Sequence, residues 1–244
     1  MRARSLVVSI LAAALGAAGA CSSDSPLPTL GFGGSNGIDT ASNARIRLVN
    51  ATPTILDLAA NGVVAAGNAA IEFGEVSSCT PTNAVRPDLT VRIGGTLVPV
   101  PGLATAYQSG VSYTVIAYTG SGIGTQFATL PDLFAPIAGE AALRVFNASA
   151  AGTSYDVYVT VPGASLDLTP PSFANVRAGE VSSFGNASAG TPRQVRVTFA
   201  GSKSVLVDVG NTALIEGQVV TLVIVAPLAG STRPRVFTAE ACSL

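Results

Sequence analysis

Two aspartates, Asp57 and Asp156, occupy equivalent points inside apolar segments that occur twice in the chain. A carboxylate in such a place could bind a metal ion or another ligand. No D-x-D-x-D-G loop or acid cluster accompanies either aspartate, as a calcium site would require. We therefore expect both side chains to lie on the solvent face of an alternating strand, or to pair with Arg47 and Arg144, which also recur.

Two glutamates, Glu75 and Glu180, lie in a segment, G-E-V-S-S, that occurs verbatim twice. Because residues distant in sequence can converge, these acids could supply the carboxylate pair of a glycoside hydrolase. The spacing from the aspartates differs between the two copies, and a duplicated acid pair is more often structural. We expect a turn that enters a strand, and we keep a carboxylate-dependent extracellular glycoside hydrolase as an alternative function.

The chain contains no histidine. Its composition therefore excludes Ser-His-Asp and Cys-His catalysis and His-ligated zinc of the H-E-x-x-H type. Lys203 could act as a base or a Schiff-base amine, but its A-G-S-K-S setting predicts a solvated turn between strands. We predict a protein that is not an enzyme, with no catalytic residue, no metal site and no cofactor.

Three segments fit the N-x-S/T glycosylation pattern, and they begin at Asn50, Asn147 and Asn186. The first two occupy the same repeat position, directly after a predicted strand. Asn, Ser and Thr are common turn residues. We therefore predict turns at these segments in preference to glycosylation sites.

Residues 1–20 have the pattern of a bacterial signal peptide, with two arginines before an apolar stretch that ends in small residues. The stretch is too short and too weakly flanked for a stable membrane span. The A-G-A-C sequence at 18–21 satisfies the A-x-A cleavage rule and also resembles the bacterial lipobox, although Ala18 stands where that motif prefers Leu. We predict a lipid-modified Cys21, with a freely secreted protein as the alternative.

Serines in place of an aspartate directly follow Cys21. Where the lipoprotein resemblance holds, this implies a protein exported to the outer membrane, with the acyl chains as its anchor on the periplasmic side or at the cell surface. The segment 21–43 beyond the attachment point is rich in Ser, Gly, Pro and Asn and lacks periodicity. We predict a flexible tether between lipid and fold.

Lipidation of Cys21 would leave Cys79 and Cys242 as an even pair. These two cysteines could form a mutual disulfide, remain free thiols or bind a metal together. The metal interpretation fails on the number of ligands. In an oxidising compartment such a pair can form a disulfide, which would tie the C-terminal region to the first half of the chain.

The formal net charge is −1, from 13 basic and 14 acidic side chains, and the arginines are scattered. Nucleic-acid binding requires a basic surface, so we predict no nucleic-acid partner. The composition is apolar but poor in aromatic residues, with 26 Gly and 15 Pro. Such a composition favours many short strands joined by turns over long helices.

Collinear matches relate the two halves of the chain. The segment A-R-I-R-L-V-N-A-T at 44–52 matches A-A-L-R-V-F-N-A-S at 141–149, and G-V-S-Y-T-V-I-A at 110–117 matches G-Q-V-V-T-L-V-I at 217–224. The offset between matches grows slowly along the chain, as it would after a duplication followed by loop insertions. We predict two copies of one domain.

Strand-like runs separated by Gly and Pro breaks recur within each copy. They predict an all-β fold of two tandem immunoglobulin-like antiparallel β-sandwich domains. The first domain is predicted at 44–130, the linker at 131–140 and the second domain at 141–244. The predicted strands are 45–49, 89–93, 96–100, 112–118, 143–146, 155–161, 195–199, 204–209 and 219–225.

These segments, with the Y-D-V-Y-V run at 155–159, resemble the family called domain of unknown function 4397. The family's first strand has the pattern R-V-x-H-A-S-P, and V-D-V-Y-V follows. Here Asn50 and Asn147 stand in place of the histidine, and L-D-L-A-A at 56–60 replaces the aromatic run of the first copy. The resemblance covers nearly all of 44–240. It implies tandem, often lipid-anchored β-sandwich domains outside the bacterial cytoplasm.

Together these observations predict a non-enzymatic envelope lipoprotein whose two domains act as a binding or structural module. Sandwich domains bind through loop tips or by adding a strand at an exposed sheet edge. An envelope polymer or protein would suit either mode. A passive spacer or assembly subunit is a further alternative to the hydrolase named above.

Overall fold

The described part of the chain is built from β-strands. The computed structural model describes residues 43–243 except 99, 101–102, 104–105, 121–123, 151, 228–230 and 232. The predicted signal peptide, the lipid attachment at Cys21 and the tether as far as residue 42 lie outside these residues. Within the described ranges, no helix is long and apolar enough to cross a membrane.

The first half of the described chain forms a sandwich of two four-stranded sheets, ordered β4-β1-β7-β8 and β3-β2-β5-β6. Its strands are β1 Asn43–Ala51, β2 Leu56–Ala60, β3 Val63–Val64, β4 Thr80–Asn83, β5 Leu89–Ile93, β6 Thr96–Val98, β7 Ser112–Tyr118 and β8 Gln126–Pro131.

The second half forms another sandwich, with sheets ordered β12-β9-β15-β16 and β11-β10-β13-β14. Its strands are β9 Glu140–Ala148, β10 Ser154–Thr160, β11 Phe173–Arg177, β12 Gly185–Ser188, β13 Arg193–Phe199, β14 Val205–Thr212, β15 Val219–Val225 and β16 Arg235–Glu240. Each strand occupies the position that its counterpart, eight strands earlier, holds in the first sandwich.

The all-β sandwich fold predicted from the sequence is confirmed. The strands pair antiparallel except for β1 with β7 and β9 with β15, which pair parallel. The sequence predicts a wholly antiparallel arrangement. A parallel pair needs a long crossover connection, and here the five strands between the paired ones provide it.

Alternation along β1 and β9 explains how each strand contributes to two cores. Ala44, Ile46 and Leu48 of β1 face the core of the first sandwich. Val49 and Ala51, near the end of the same strand, belong to a different cluster. Because successive side chains of a strand point to opposite faces, the inner strands are apolar on both sides.

A third apolar cluster joins the two sandwiches face to face. It contains side chains from β1 and β7 of the first sandwich and from β9, β15 and β16 of the second, including Val49, Ile116, Phe146, Val223 and Ala239. We call this interface the seam. The described residues accordingly belong to one compact unit, in which the sheets β4-β1-β7-β8 and β12-β9-β15-β16 are covered on both faces.

Candidate functional site

A buried ion pair lies in the seam. The guanidinium of Arg144, on β9, donates to the carboxylate of Asp132 at 2.5 Å, and the two side chains are only 4% and 1% exposed. Arg144 also donates to the hydroxyl of Thr221 at 2.9 Å and to the carbonyl of Pro131 at 2.8 Å. All of these contacts cross between neighbouring strands of the seam or between the two sandwiches.

The Asp132 carboxylate has two further donors. The Thr114 hydroxyl donates at 3.0 Å and the Ser112 hydroxyl at 3.2 Å, both from β7. Burial raises the pKa of Asp132 even though Arg144 and these hydroxyls lower it. Burial also lowers the pKa of Arg144, against the attraction of Asp132. The pair is therefore desolvated and fully hydrogen-bonded, as a buried pair must be.

Aromatic rings flank the buried arginine. The Arg144 guanidinium lies 4.7 Å from the centre of the Phe184 ring, and Phe184 stacks on Phe134 at 4.9 Å. Cation–π contacts of this kind strengthen when water is excluded. Asp132 and Phe134 both come from the segment that the sequence predicts to be a linker.

The arginine at the equivalent position of the first sandwich, Arg47, has different partners. Its guanidinium donates to the sulfur of Cys79 at 3.2 Å, while its buried Nε has no hydrogen-bond partner within the described residues. Burial lowers the pKa of Arg47, and Asp132 and Glu240 oppose that shift. The seam thus holds two arginines near one deeply buried carboxylate.

A disulfide closes one end of the seam. Cys79 and Cys242 are bonded, with 5.8 Å between their Cα atoms and a sequence separation of 163. Nearby, the Arg45 side chain donates to the carbonyl of Ser243. The predicted disulfide is present, and it ties the chain beyond β16 to the segment that precedes β4.

The recurring aspartates bind main-chain amides. Asp57 accepts from the amide of Ala70 at 2.7 Å, and Asp156 accepts from Asn175 at 2.7 Å and from Gly201 at 2.8 Å. Ala70 and Asn175 have positive φ angles of 50°. Neither aspartate pairs with a seam arginine. Asp57 is partly exposed between the core residues Leu56 and Leu58, as expected for the outer face of an alternating strand, whereas Asp156 is buried, which the sequence did not predict. Both carboxylates stabilise a strained backbone turn beside their strand.

The repeated G-E-V-S-S segments run beside the ends of β1 and β9. The amides of Gly74 and Gly179 donate to the carbonyls of Asn50 and Asn147, at 2.8 and 2.7 Å. The glutamates contribute main-chain bonds to the same asparagines, and the side chain of Glu180 makes an exposed contact with Arg177 at 4.0 Å. Each segment contains the turn that the sequence predicts. The spacing from the glutamate to the aspartate differs because the intervening loop is longer in the second copy.

The asparagines of the first two N-x-S/T segments are fully buried. The Asn50 side chain donates to the carbonyls of Thr54 and Ile71, and its oxygen accepts from Thr52. Asn147 makes the same pattern of contacts in the second sandwich. Both lie near the ends of β1 and β9, where the sequence predicts turns directly after the strands, and their side-chain oxygens accept from the amides of Thr52 and Ser149 in the bends that follow. Asn186 lies exposed on strand β12, where the sequence predicts a turn.

Lys203 lies in the turn between β13 and β14, where the sequence predicts it. Its ammonium donates to the carbonyl of Thr169 at 2.5 Å and lies 4.8 Å from the ring centre of Tyr158. Over the described ranges, no group of three or more His, Cys, Asp or Glu side chains could hold a metal ion.

Two adjoining cavities of about 370 and 390 Å³ lie between the edge strands β11 and β12 of the second sandwich. They share Ser172, Phe173 and Gly185, and we call them together the edge groove. The lining combines buried apolar side chains such as Leu143 and Phe173 with a larger share of polar groups. The residues that line the first of these cavities include Glu140, Leu143, Val159, Phe173, Asn186, Ser188 and Arg193.

A further cavity of about 440 Å³ opens at the disulfide end of the seam. Its wall combines the exposed apolar side chains of Leu133 and Ile215 with Asp132 and Cys242. Because the carboxylate of Asp132 already accepts from Arg144, Thr114 and Ser112, this wall presents mainly apolar surface.

Comparison with known families gives one match. The family described as Domain of unknown function (DUF4397) matches residues 44–158. The match covers the whole first sandwich and continues through β9 into β10 of the second. No curated protein matches the chain.

Proposed function

We propose that this chain is a non-enzymatic envelope lipoprotein that holds two sandwich domains, the second a further copy of the matched family's domain, as a binding or structural module. The observation that carries the proposal is the seam, where a disulfide, a buried ion pair and a shared apolar cluster hold the sandwiches together. A pair of domains held this firmly suits the presentation of a surface at a fixed orientation.

Two features support placement outside the cytoplasm. The disulfide between Cys79 and Cys242 is the kind of bond that forms and persists in oxidising compartments. The signal-like residues 1–20 and the following Cys21 supply a route of export and a lipid attachment point. The proposed location is the outer membrane, with an envelope polymer or protein as the partner.

The residues most suited to carboxylate chemistry have structural partners. The carboxylate oxygens of Asp57 and Asp156 accept hydrogen bonds from main-chain amides of residues with positive φ. The Glu75 carboxylate accepts from the amide of Glu72 at 2.9 Å. A glycoside hydrolase needs two carboxylates that face each other across a substrate. These contacts favour the non-enzymatic module over the hydrolase.

The test is fractionation of cells that express the full chain with and without Cys21→Ser. We expect the wild-type protein in the outer-membrane fraction, with incorporation of labelled palmitate, and the variant in a soluble fraction without label. Ser23→Ala is the matched control and is expected to behave as the wild type. Retention of the Cys21→Ser variant in the membrane would refute the lipid anchor.

A further inference from the structure

Strand β12 lies at a sheet edge, where β9 is its only neighbour among the described strands. On β9, the amide of Ala142 donates at 2.8 Å to the carbonyl of Gln218, directly before β15. The main chain of Ala142 therefore points away from β12. Because successive residues of a strand direct their main-chain groups to opposite sides, Ala141 and Leu143 point toward β12.

The register then identifies the free groups of β12. Ala187 and Gly185 lie opposite the two β9 residues that point toward this strand, so they carry its hydrogen bonds to β9. Asn186, between them, directs its N–H and C=O to the open side, and Ser188 directs its N–H there. Both residues are exposed. The edge thus presents main-chain donors and an acceptor to an incoming strand.

In the first sandwich, the equivalent edge strand β4 carries a proline. Pro81 of β4 lies opposite Arg45, while Asn186 of β12 lies opposite Ala142. Arg45 and Ala142 are equivalent in the repeated segments 44–52 and 141–149, so Pro81 and Asn186 are equivalent too. Proline has no amide hydrogen and is a common means of protecting an edge strand. The two copies therefore differ at the residue that controls pairing.

The sandwiches also differ in the connection that precedes the seventh strand of each. In the first sandwich, the connection 99–111 contributes Val100 and Leu103 to the core, and the amide of Tyr107 in the same connection donates to the carbonyl of Ala84, directly after β4. In the second sandwich, the shorter connection 213–218 contributes Leu214 to the core. The described residues of this connection thus add more apolar side chains to the core in the first copy than in the second.

The edge groove of the second sandwich has the complementary chemistry. Leu143, Val159 and Phe173 line it from the core, and they lie beside the free groups of β12. Glu140 and Arg193, of opposite charge, stand at one end of the groove. An occupant that matches this surface carries apolar side chains and no net charge.

We propose that β12 binds an extended, uncharged segment of a partner polypeptide, which adds a strand at Asn186 and Ser188 and places an apolar side chain over Phe173. This inference rests on the proposed function as a binding module and names the site and the class of partner. Main-chain hydrogen bonds supply affinity in such a complex, and the groove selects the side chain.

The probe is a fluorescently labelled peptide, T-V-T-V-T-V-T with blocked ends, titrated into the full chain and two variants. Asn186→Pro removes the outward amide and leaves the pairing with β9 intact, whereas Asn186→Thr keeps the amide. We expect the proline variant to bind at least about tenfold more weakly and the threonine variant to match the wild type. Unchanged melting temperatures would show that both variants are folded.

Two further measurements complete the test. A peptide with N-methyl groups on its pairing amides is expected to lose binding, and the unmethylated peptide is expected to slow hydrogen exchange at Asn186 and Ser188. The inference is overturned by absence of binding up to about 1 mM, by equal binding to the proline variant, or by protection elsewhere. The lipid anchor is judged separately by the Cys21→Ser fractionation. If the proline variant still captured an envelope partner, the proposed function as a binding module would be retained and the proposed binding site at β12 would be refuted.

Discussion

Replacement of Arg144 by methionine tests whether the seam depends on its buried ion pair. Methionine retains apolar volume but leaves the Asp132 carboxylate, whose side chain is 1% exposed, without its cationic partner. Removal of one member of a buried pair costs about 3–5 kcal/mol. That loss is a large fraction of the roughly 5–15 kcal/mol by which domains are stable. We expect Arg144→Met to lower the free energy of unfolding by this amount at neutral pH.

A second substitution isolates the contribution of charge. In the Arg144→Met background, Asp132→Asn leaves an amide oxygen for Thr114 and Ser112 and removes the uncompensated negative charge. We expect this double variant to recover at least about 2 kcal/mol of the loss.

The assay is urea denaturation followed by circular dichroism. Arg177→Met, which breaks the exposed contact to Glu180 at 4.0 Å, is the matched control and is expected to cost less than about 1 kcal/mol. A loss below about 1 kcal/mol for Arg144→Met, or no recovery in the double variant, would show that the pair does not stabilise the seam.

Two other predictions concern pH and the disulfide. Burial raises the pKa of Asp132 in the folded state. The contribution of Asp132 to the free energy of unfolding therefore falls as the pH rises from the ordinary pKa of an aspartate through the raised pKa. Urea titrations between about pH 4 and pH 7 should show this slope, which should be steeper in Arg144→Met and absent once Asp132 is also replaced by Asn. The disulfide closes a loop with a sequence separation of 163, so chain entropy gives it an upper limit of about 5 kcal/mol. Dithiothreitol should lower the free energy of unfolding of the wild type toward that of a Cys79→Ser, Cys242→Ser variant. The variant itself should not respond to dithiothreitol. A wild type that does not respond either would contradict a stabilising role of the disulfide.

The strands that the sequence predicts well have a strong local apolar pattern. The predicted strands 112–118 and 219–225 coincide with β7 and β15, which are buried between two layers, and 89–93 coincides with the alternating strand β5. The strands β4 and β12 were not predicted, because T-P-T-N and G-N-A-S have little intrinsic strand preference. They form through pairing with β1 and β9, which a local pattern does not show.

The partners of the charged residues were harder to predict. Pairing of the repeated aspartates with Arg47 and Arg144 was one of two alternatives that the sequence offered, whereas the structure pairs Arg144 with Asp132 from the predicted linker. That contact depends on how the two sandwiches face each other, and no spacing in the sequence encodes this. The amide that Asp57 accepts belongs to Ala70, a residue with positive φ whose type gives no signal for a left-handed turn.

The position of Cys242 also sets an order of events during synthesis. Its partner Cys79 precedes β4 of the first sandwich, whereas Cys242 follows β16, the last strand of the second. The first sandwich can therefore acquire its covalent closure only after every strand of the second has been synthesised. A chain interrupted between residues 79 and 242 lacks the disulfide partner of Cys79, which is exposed beside Arg47 in the complete chain. A thiol near a cation is more reactive than an ordinary thiol, so it would distinguish such incomplete molecules from finished ones.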